Sequence, residues 1–176
     1  EAVNTQLPAP TQGLRVENLS VTPPGAQEPV LRQIGFALQA GDAMGVIGPS
    51  AAGKTTLARA LVGVWSPLEG AVRLDGASLD QWAPDALGVH LGYLPQHVEL
   101  FDGTIAQNIA RFEPEPPSDK VIHAGEAGGV HEMILALPDG YDTRVGAGGL
   151  QLSAGQRQRV GLARALYGDP FFVVLD

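Results

Sequence analysis

The feature that most constrains this chain is a glycine-containing loop at residues 48–55, which reads Gly-Pro-Ser-Ala-Ala-Gly-Lys-Thr. It matches the pattern G-x-x-x-x-G-K-[ST] in full. An apolar run at residues 43–47 precedes it, and residues 54–64 carry apolar side chains at helical spacing. The predicted order is therefore strand, loop, helix, the setting in which backbone N–H groups and a helix N-terminus hold phosphate. The structural alternative is a glycine turn beside an exposed lysine.

This loop predicts a site for ATP or GTP with Mg²⁺. Lys54 is expected to pair with the β- and γ-phosphates, and the Thr55 hydroxyl is expected to ligate Mg²⁺. Gly48 and Gly53 are expected at points where the backbone needs a positive φ or approaches a phosphate closely. The residues predicted to bind the nucleotide are Gly48, Pro49, Ser50, Ala51, Ala52, Gly53, Lys54, Thr55 and Thr56.

A carboxylate at the end of a neighbouring apolar strand is needed to hold Mg²⁺ in such a site. Residues 171–175 form a continuous apolar run that ends at Asp176. Such a run predicts a strand buried on both faces in a parallel sheet. An aspartate can also simply end a strand, but the presence of the loop favours the metal role. The long separation of Lys54 from Asp176 predicts an insertion between them, and we expect it to be acidic and helical.

Composition excludes several classes of protein. The chain has no cysteine, which excludes disulfide scaffolds and sites with cysteine ligands. Its net charge of −8 argues against a nucleic-acid partner, because phosphate backbones require clustered lysine and arginine. The excess acid lies in residues 69–142, and we interpret it as a solvated surface rather than a cation site.

The remaining pattern predicts an α/β fold. The best-marked helix covers residues 156–167, with Ser153 as its N-cap and Gly168 as its C-terminal cap. Residues 1–12 are polar and proline-containing, which predicts a linker. The other predicted elements are an antiparallel strand pair at 14–21 and 30–38, strands at 71–74 and 91–95, and short helices within 104–137 that are interrupted by a loop at 113–117.

Two further motifs resemble those of the ATP-binding cassette (ABC) ATPases. The segment Leu152-Ser-Ala-Gly-Gln156 resembles the signature motif of this family, with Ala154 where the family usually has glycine. Gln96, in Gly92-Tyr-Leu-Pro-Gln96, resembles the Q-loop glutamine, which contacts Mg²⁺ and couples the site to a transmembrane partner. The resemblance implies an ABC cassette over residues 13–176. Its parts would be an antiparallel β subdomain, a parallel-sheet core and an inserted helical subdomain at about 97–167.

The resemblance also implies an activity and the residues that perform it. The implied activity is ATP hydrolysis that drives transport, in a dimer of two cassettes packed head to tail. Each signature motif would then close on the phosphate loop of the other cassette. The implied catalytic residues are Lys54, Gln96, Ser153, Gly155 and Gln156, and the implied metal ligands are Thr55, Gln96 and Asp176.

The resemblance points to one branch of the family. Residues 94–109 and 137–149 are similar to exporters, and residues 21–25, 63–65 and 74–82 are similar to type I secretion exporters. This branch implies a fused or associated transmembrane domain, with residues 1–12 as the linker from it. It also implies a periplasmic adaptor and an outer-membrane channel. The cassette would lie on the cytoplasmic face of the bacterial inner membrane.

Three functions are compatible with an ABC cassette motif set. In the family a catalytic glutamate follows the Mg²⁺ aspartate and a switch histidine comes later, so we expect the C-terminal part of the cassette to be missing here. The first function is a transport ATPase, and the second is a nucleotide-binding fragment that does not hydrolyse ATP. The third, a DNA-repair ABC ATPase, requires a coiled-coil insert between Gln96 and Ser153. That stretch contains prolines and no heptads.

Overall fold

A computed structural model describes residues 7–176 of the chain. These residues form two compact units. The first holds the described residues up to Leu91 together with Asp176, and the second holds Gly92–Leu175. The predicted linker falls partly on residues 1–6, which lie outside the described residues. Within 7–176, no helix is both long enough and apolar enough to cross a bilayer.

The first unit is built on a four-stranded antiparallel sheet. Its strands are β1 (Gly13–Val21), β2 (Leu31–Gln39), β3 (Glu69–Leu74) and β4 (Ala77–Ser78), in the order β2-β1-β3-β4. All of the pairings are antiparallel, which confirms the predicted strand pair.

The buried face of β1 follows from its apolar alternation and one irregularity. Leu14 and Val16 are buried with one residue between them. At Asn18 the backbone turns left-handed, with φ 45°, and the register with β2 shifts. Leu19 and Val21 return to the buried side beyond this point, so the bulge keeps both halves of the strand packed on one core.

Helix α1 (Lys54–Leu61) follows the glycine loop and ends three residues before the predicted Val64. The strand predicted at residues 43–47 is wrong, since this segment forms no strand. Among residues 7–176 no strand pairs with it, and Ile47 is 96% exposed. Apolar composition favours a strand, but an extended backbone becomes one only where a neighbour takes up its N–H and C=O groups. The first unit ends with helix α2 (Pro84–His90).

The second unit is mainly helical. Its helices are α3 (Ile105–Ile109), α4 (Ser118–Ala127), α5 (His131–Leu135) and α6 (Ala154–Leu166), which confirms the predicted short helices and the long one after them. Ile109, Ile134 and Val160 are fully buried in a core that joins these helices. Val160 and Ala163 of α6 and its C-cap residue Tyr167 enter that core at spacings of three and four, as expected for one face of a helix.

Two strand pairs complete the fold. Strand β5 (Leu91–Leu94) pairs with β8 (Phe172–Leu175), and β6 (Gly103–Thr104) pairs antiparallel with β7 (Arg144–Val145). The prediction that residues 171–175 are buried on both faces is wrong. They are half-buried as far as Val174, and Leu175 is 62% exposed. In the described part of the chain only β5 pairs with β8, so the other edge of β8 stays open. The predicted α/β class is confirmed.

Candidate nucleotide-binding site

The glycine loop enters α1 through a left-handed turn. Gly53 is the N-cap of α1, with φ 96°, and no side chain caps the helix. The left-handed backbone angle favours glycine here, and a Cβ would also crowd Leu31 Cδ2 at 2.9 Å. Ala51 is also left-handed, at φ 65°, whereas Gly48 is not. The first-turn N–H groups of α1 therefore point into the loop without a side-chain acceptor, as an anion site requires.

The Lys54 ammonium lies against the carbonyls of the loop. Its Nζ donates hydrogen bonds to the carbonyl oxygens of Gly48 and Pro49, each at 2.8 Å. Residues 48–52 are all exposed, and Gly53 is buried. The loop thus presents its backbone and one fixed positive charge to solvent, which suits a phosphate group.

Thr55 and Asp176 meet within the first unit although 121 positions separate them. The Thr55 hydroxyl donates to Asp176 Oδ1 at 3.1 Å. Both groups were predicted metal ligands. A hydroxyl and a carboxylate are hard oxygen donors of the kind that Mg²⁺ prefers, so this donor set fits the ion. Thr56 differs from Thr55, because Thr56 is buried at 7% exposure and Thr55 is half-buried.

The second unit carries the signature segment at the start of α6. The Gln156 N–H donates to Ser153 Oγ at 3.2 Å, and the Ser153 N–H donates to Gln156 Oε1 at 2.9 Å. This capping box confirms Ser153 as the N-cap and starts the helix two residues before the predicted Gln156. Ser153, Ala154 and Gly155 are exposed. The N–H groups of Ala154 and Gly155 are in the first turn and have no intrahelical acceptor, so they face solvent as donors.

Gln96 is exposed and follows β5 after one residue. The predicted site residues therefore fall into two sets. The loop and Asp176 lie in the first unit, and Gln96, Ser153, Gly155 and Gln156 lie in the second.

One structural contact of the first unit was not predicted from the sequence. Asp75, interpreted only as part of a turn, accepts the backbone N–H groups of Thr11, Gln12 and Gly13 at 2.6, 2.9 and 2.8 Å. Desolvation acts to raise the pKa of this carboxyl, but the three backbone donors outweigh it and lower the pKa below its ordinary value of 3.8. Local patterns could not have revealed it, because the partners are more than 60 positions apart.

Comparison with known proteins supports the same family over most of the chain. The family model "ABC transporter" matches residues 31–176. The chain is 61% identical over 171 residues to the type I secretion system ATP-binding protein PrsD of Rhizobium meliloti (strain 1021), a match covering 97% of this chain. It is 40% identical over 151 residues to a multidrug efflux ATP-binding/permease protein of Mycobacterium bovis, covering 86% of this chain.

Two further relatives extend this result. The chain is 38% identical over 146 residues to human ATP-binding cassette sub-family B member 6, covering 83% of this chain. A solved structure, a bacterial Atm1-family ABC exporter with ATP bound, superposes on the whole chain with a TM-score of 0.86 and 32% identity. The chain spans 29% of PrsD, 13% of the efflux protein, 17% of the human protein and 31% of the exporter chain. The chain belongs to the ABC transporter family, through a domain that the family model places at residues 31–176.

Proposed function

We propose that this chain is the ATP-binding and ATP-hydrolysing domain of an ABC exporter, the inner-membrane component of a type I protein secretion system. The observation that carries the proposal is the hydrogen bond between Thr55 and Asp176 beside the loop that holds Lys54. Family membership favours this function over a nucleotide-binding fragment without turnover. The likeness to an exporter with ATP bound supports ATP as the nucleotide, and PrsD supports the secretion branch.

In this function the loop residues 48–56 bind the phosphates. Backbone N–H groups of the loop and of the first turn of α1 supply donors, and Lys54 supplies a charge that pairs with the β- and γ-phosphates. The left-handed turn at Gly53, with φ 96°, already curves the loop toward the start of α1. A preformed loop loses little conformational entropy when it takes up the nucleotide.

Thr55 and Asp176 would hold Mg²⁺, with Gln96 as a further ligand. When bound, the ion neutralises charge on the phosphates during hydrolysis. Asp176 accepts a hydrogen bond from the Thr55 hydroxyl, so its carboxylate is already oriented toward the start of α1. Gln96 lies two residues after the end of β5. It is exposed, so its side chain is not part of the core.

The signature segment acts on a second copy of the cassette. The exposed Ser153 hydroxyl and the first-turn N–H groups of Ala154 and Gly155 form a donor set that would bind the γ-phosphate held by the partner's loop. Gln156 supports this set, because its side chain fixes Ser153 through the capping box. The proposed assembly is therefore a head-to-tail dimer in which each nucleotide is shared by two cassettes.

The proposed transport role involves partners other than the cassette itself. We assign it a fused or associated transmembrane domain, a periplasmic adaptor and an outer-membrane channel, with the cassette on the cytoplasmic face of the bacterial inner membrane. The words "type I secretion system" in the name of PrsD support this branch. A net charge of −8 agrees with the assignment of no nucleic-acid partner.

Nucleotide binding by the chain tests the proposal. Titration calorimetry with ATP and Mg²⁺ is expected to detect binding, and Lys54→Ala is expected to weaken it about 10-fold to 100-fold, because a hydrogen bond to a charged group contributes about 1.5–3 kcal/mol. Lys120→Ala, which changes the chain's other lysine, is the matched control. Phosphate release above background that Lys54→Ala abolishes would support hydrolysis. Absence of ATP binding by the wild-type chain would overturn the proposal.

A further inference from the structure

Within the second unit, helix α6 packs closely against residues 92–101, the segment that contains Gln96. At Gly161 a Cβ would lie 2.7 Å from Val98 Cγ2 and 3.0 Å from Leu94 Cδ1. At Gly92 a Cβ would collide with the carbonyl oxygen of Ala165. The two surfaces therefore approach closely at both glycines, against backbone at Gly92 and against side-chain methyl groups at Gly161, so there is little room for one to slide past the other.

Arg164 makes a hydrogen bond and a cation–π contact between the same two surfaces. It lies three residues after Gly161, on the same side of α6. Its Nη1 donates to the carbonyl oxygen of Glu99 at 3.1 Å, and its guanidinium carbon lies 5.8 Å from the centre of the Phe101 ring. Both partners belong to the segment that follows Gln96. The side chain is half-buried and burial lowers its pKa, so these contacts operate with reduced competition from water.

The C-terminal end of α6 is held by a second arginine. Arg111 donates from Nε to the Arg164 carbonyl and from Nη2 to the Ala165 carbonyl, each at 3.0 Å. These are among the last carbonyls of the helix, where a positive charge is favourable. Arg111 and the next residue, Phe112, both have left-handed backbones, at φ 54° and 59°, in the turn after α3. This turn directs the guanidinium back onto the end of α6.

We propose that Arg164 is a positioning residue that makes the Gln96 segment and α6 move as one body, so that a displacement at Gln96 reaches Ser153 at the far end of the helix. The 13 residues of α6 span about 20 Å, and a helix of this length transmits motion along its axis without bending much. The functional meaning of this connection rests on the proposed roles of Gln96 and Ser153. The connection itself is a property of the second unit and can be measured without nucleotide.

The absence of cysteine makes that measurement direct. His97→Cys and Gln158→Cys place one spin label beside Gln96 and one on α6, and both native side chains are exposed. Pulsed electron paramagnetic resonance on the doubly labelled chain is expected to give one narrow distance distribution. Adding Arg164→Met should broaden it, because the methionine keeps bulk but cannot donate to Glu99. Arg164→Lys, which keeps a donor, should restore most of the narrow distribution.

Arg159→Met is the matched control, because Arg159 lies on the same helix and is exposed. An unchanged distribution in Arg164→Met, with circular dichroism showing native helix content, would overturn the inference. Equal broadening in Arg159→Met would do the same. If Arg164→Met does not fold, Arg164→Leu, which also lacks a donor, takes its place beside the Arg159→Met control, and a distribution as narrow as that of the wild type overturns the inference.

A second readout separates this inference from the proposed function. In Arg164→Met we expect calorimetry to give wild-type ATP affinity at the loop, and sedimentation to show ATP-driven dimerisation weakened about 3-fold to 10-fold. Unchanged dimerisation would contradict the coupling role. Failure of the wild-type chain to bind ATP would contradict the proposed function instead, and the spin-label distances would then decide the connection between Gln96 and α6 by themselves.

Discussion

The Thr55 hydroxyl donates a 3.1 Å hydrogen bond to the carboxylate of Asp176. If these two oxygens share Mg²⁺, removing the hydroxyl should affect only binding that depends on the ion. Thr55→Val keeps the shape of the side chain and is expected to weaken ATP binding about 10-fold in Mg²⁺, a loss of about 1.4 kcal/mol. Binding with the metal chelated should change little. Calorimetry in both buffers measures this.

Thr55→Ser is the matched control for that prediction, since it keeps the oxygen. Its affinity for ATP with Mg²⁺ should stay near that of the wild type. Equal weakening of Thr55→Val with and without chelator would contradict a metal role for Thr55 and would point to a direct contact with phosphate instead.

The Asp75 carboxylate holds the segment that leads into β1. Asp75→Asn should weaken the bonds from Thr11, Gln12 and Gly13, because the amide carries no charge. We expect faster amide hydrogen exchange at Gln12 and Gly13, and a loss of about 1 kcal/mol of stability after allowance for solvent exposure. Asp80→Asn is the control, since Asp80 is an exposed aspartate of the same unit. Equal exchange in both variants would contradict the anchoring role.

The same carboxylate predicts a dependence on pH. Because the folded chain lowers the pKa of Asp75 below 3.8, its stabilising effect is complete above that value and is lost as the pH falls through the folded pKa. In the wild type, exchange protection at Gly13 should therefore decline in acid below about pH 4. In Asp75→Asn this decline should be absent.

Ser153 can be tested for two roles at once, as helix cap and as ligand for phosphate. Ser153→Asp preserves a cap and places a negative charge at the N-terminus of α6, so helix stability should be maintained. The same charge would repel a γ-phosphate, and ATP-driven dimerisation should be lost in sedimentation. Ser153→Thr should behave like the wild type, and Ser153→Ala should cost about 1 kcal/mol through the cap alone. Dimerisation of Ser153→Asp at the wild-type level would leave only the capping role.

The Tyr167 hydroxyl donates to Glu113 Oε2 at 2.7 Å beneath the Lys120 ammonium, which lies 4.7 Å from the ring centre. Burial, followed by this hydrogen bond, raises the pKa of Tyr167 above its ordinary value of 10.0. A raised pKa contributes stability that is present below pH 10 and is lost as the pH rises further. Tyr167→Phe should therefore be less stable at neutral pH and should show a shallower loss of stability above pH 10.

Denaturant unfolding at several alkaline pH values measures this effect. Glu113→Gln is the companion variant, because it keeps an acceptor but removes the charge, and we expect it to lie between Tyr167→Phe and the wild type. An identical alkaline profile in the wild type and Tyr167→Phe would show that Tyr167 does not contribute to the pH dependence.

Sequence patterns predicted well those features that depend on near neighbours. The cap at Ser153, the pair β1 and β2, and the glycine turn at Gly53 all follow from residues within a few positions of one another. The meeting of Thr55 with Asp176 was predictable for another reason. Family motifs record a distant contact that local periodicity does not contain.

Features that depend on distant partners were predicted poorly. Residues 43–47 have the composition of a strand, yet strand formation depends on a neighbour that the local sequence does not specify. The burial predicted for 171–175 failed for the same reason. In the sequence, Arg164 is one polar position of a predicted helix. Its hydrogen bond to the Glu99 carbonyl is seen only in the folded second unit.

The two hydrogen bonds from Lys54 to the carbonyls of Gly48 and Pro49 have a consequence for how a ligand arrives. These bonds use two of the three ammonium donors, so the third can be donated to a phosphate while the carbonyls hold the side chain over the loop. Binding then adds an anionic acceptor to two neutral ones. Discrimination at this position follows from charge, so neutral ligands of the same shape gain little from the lysine.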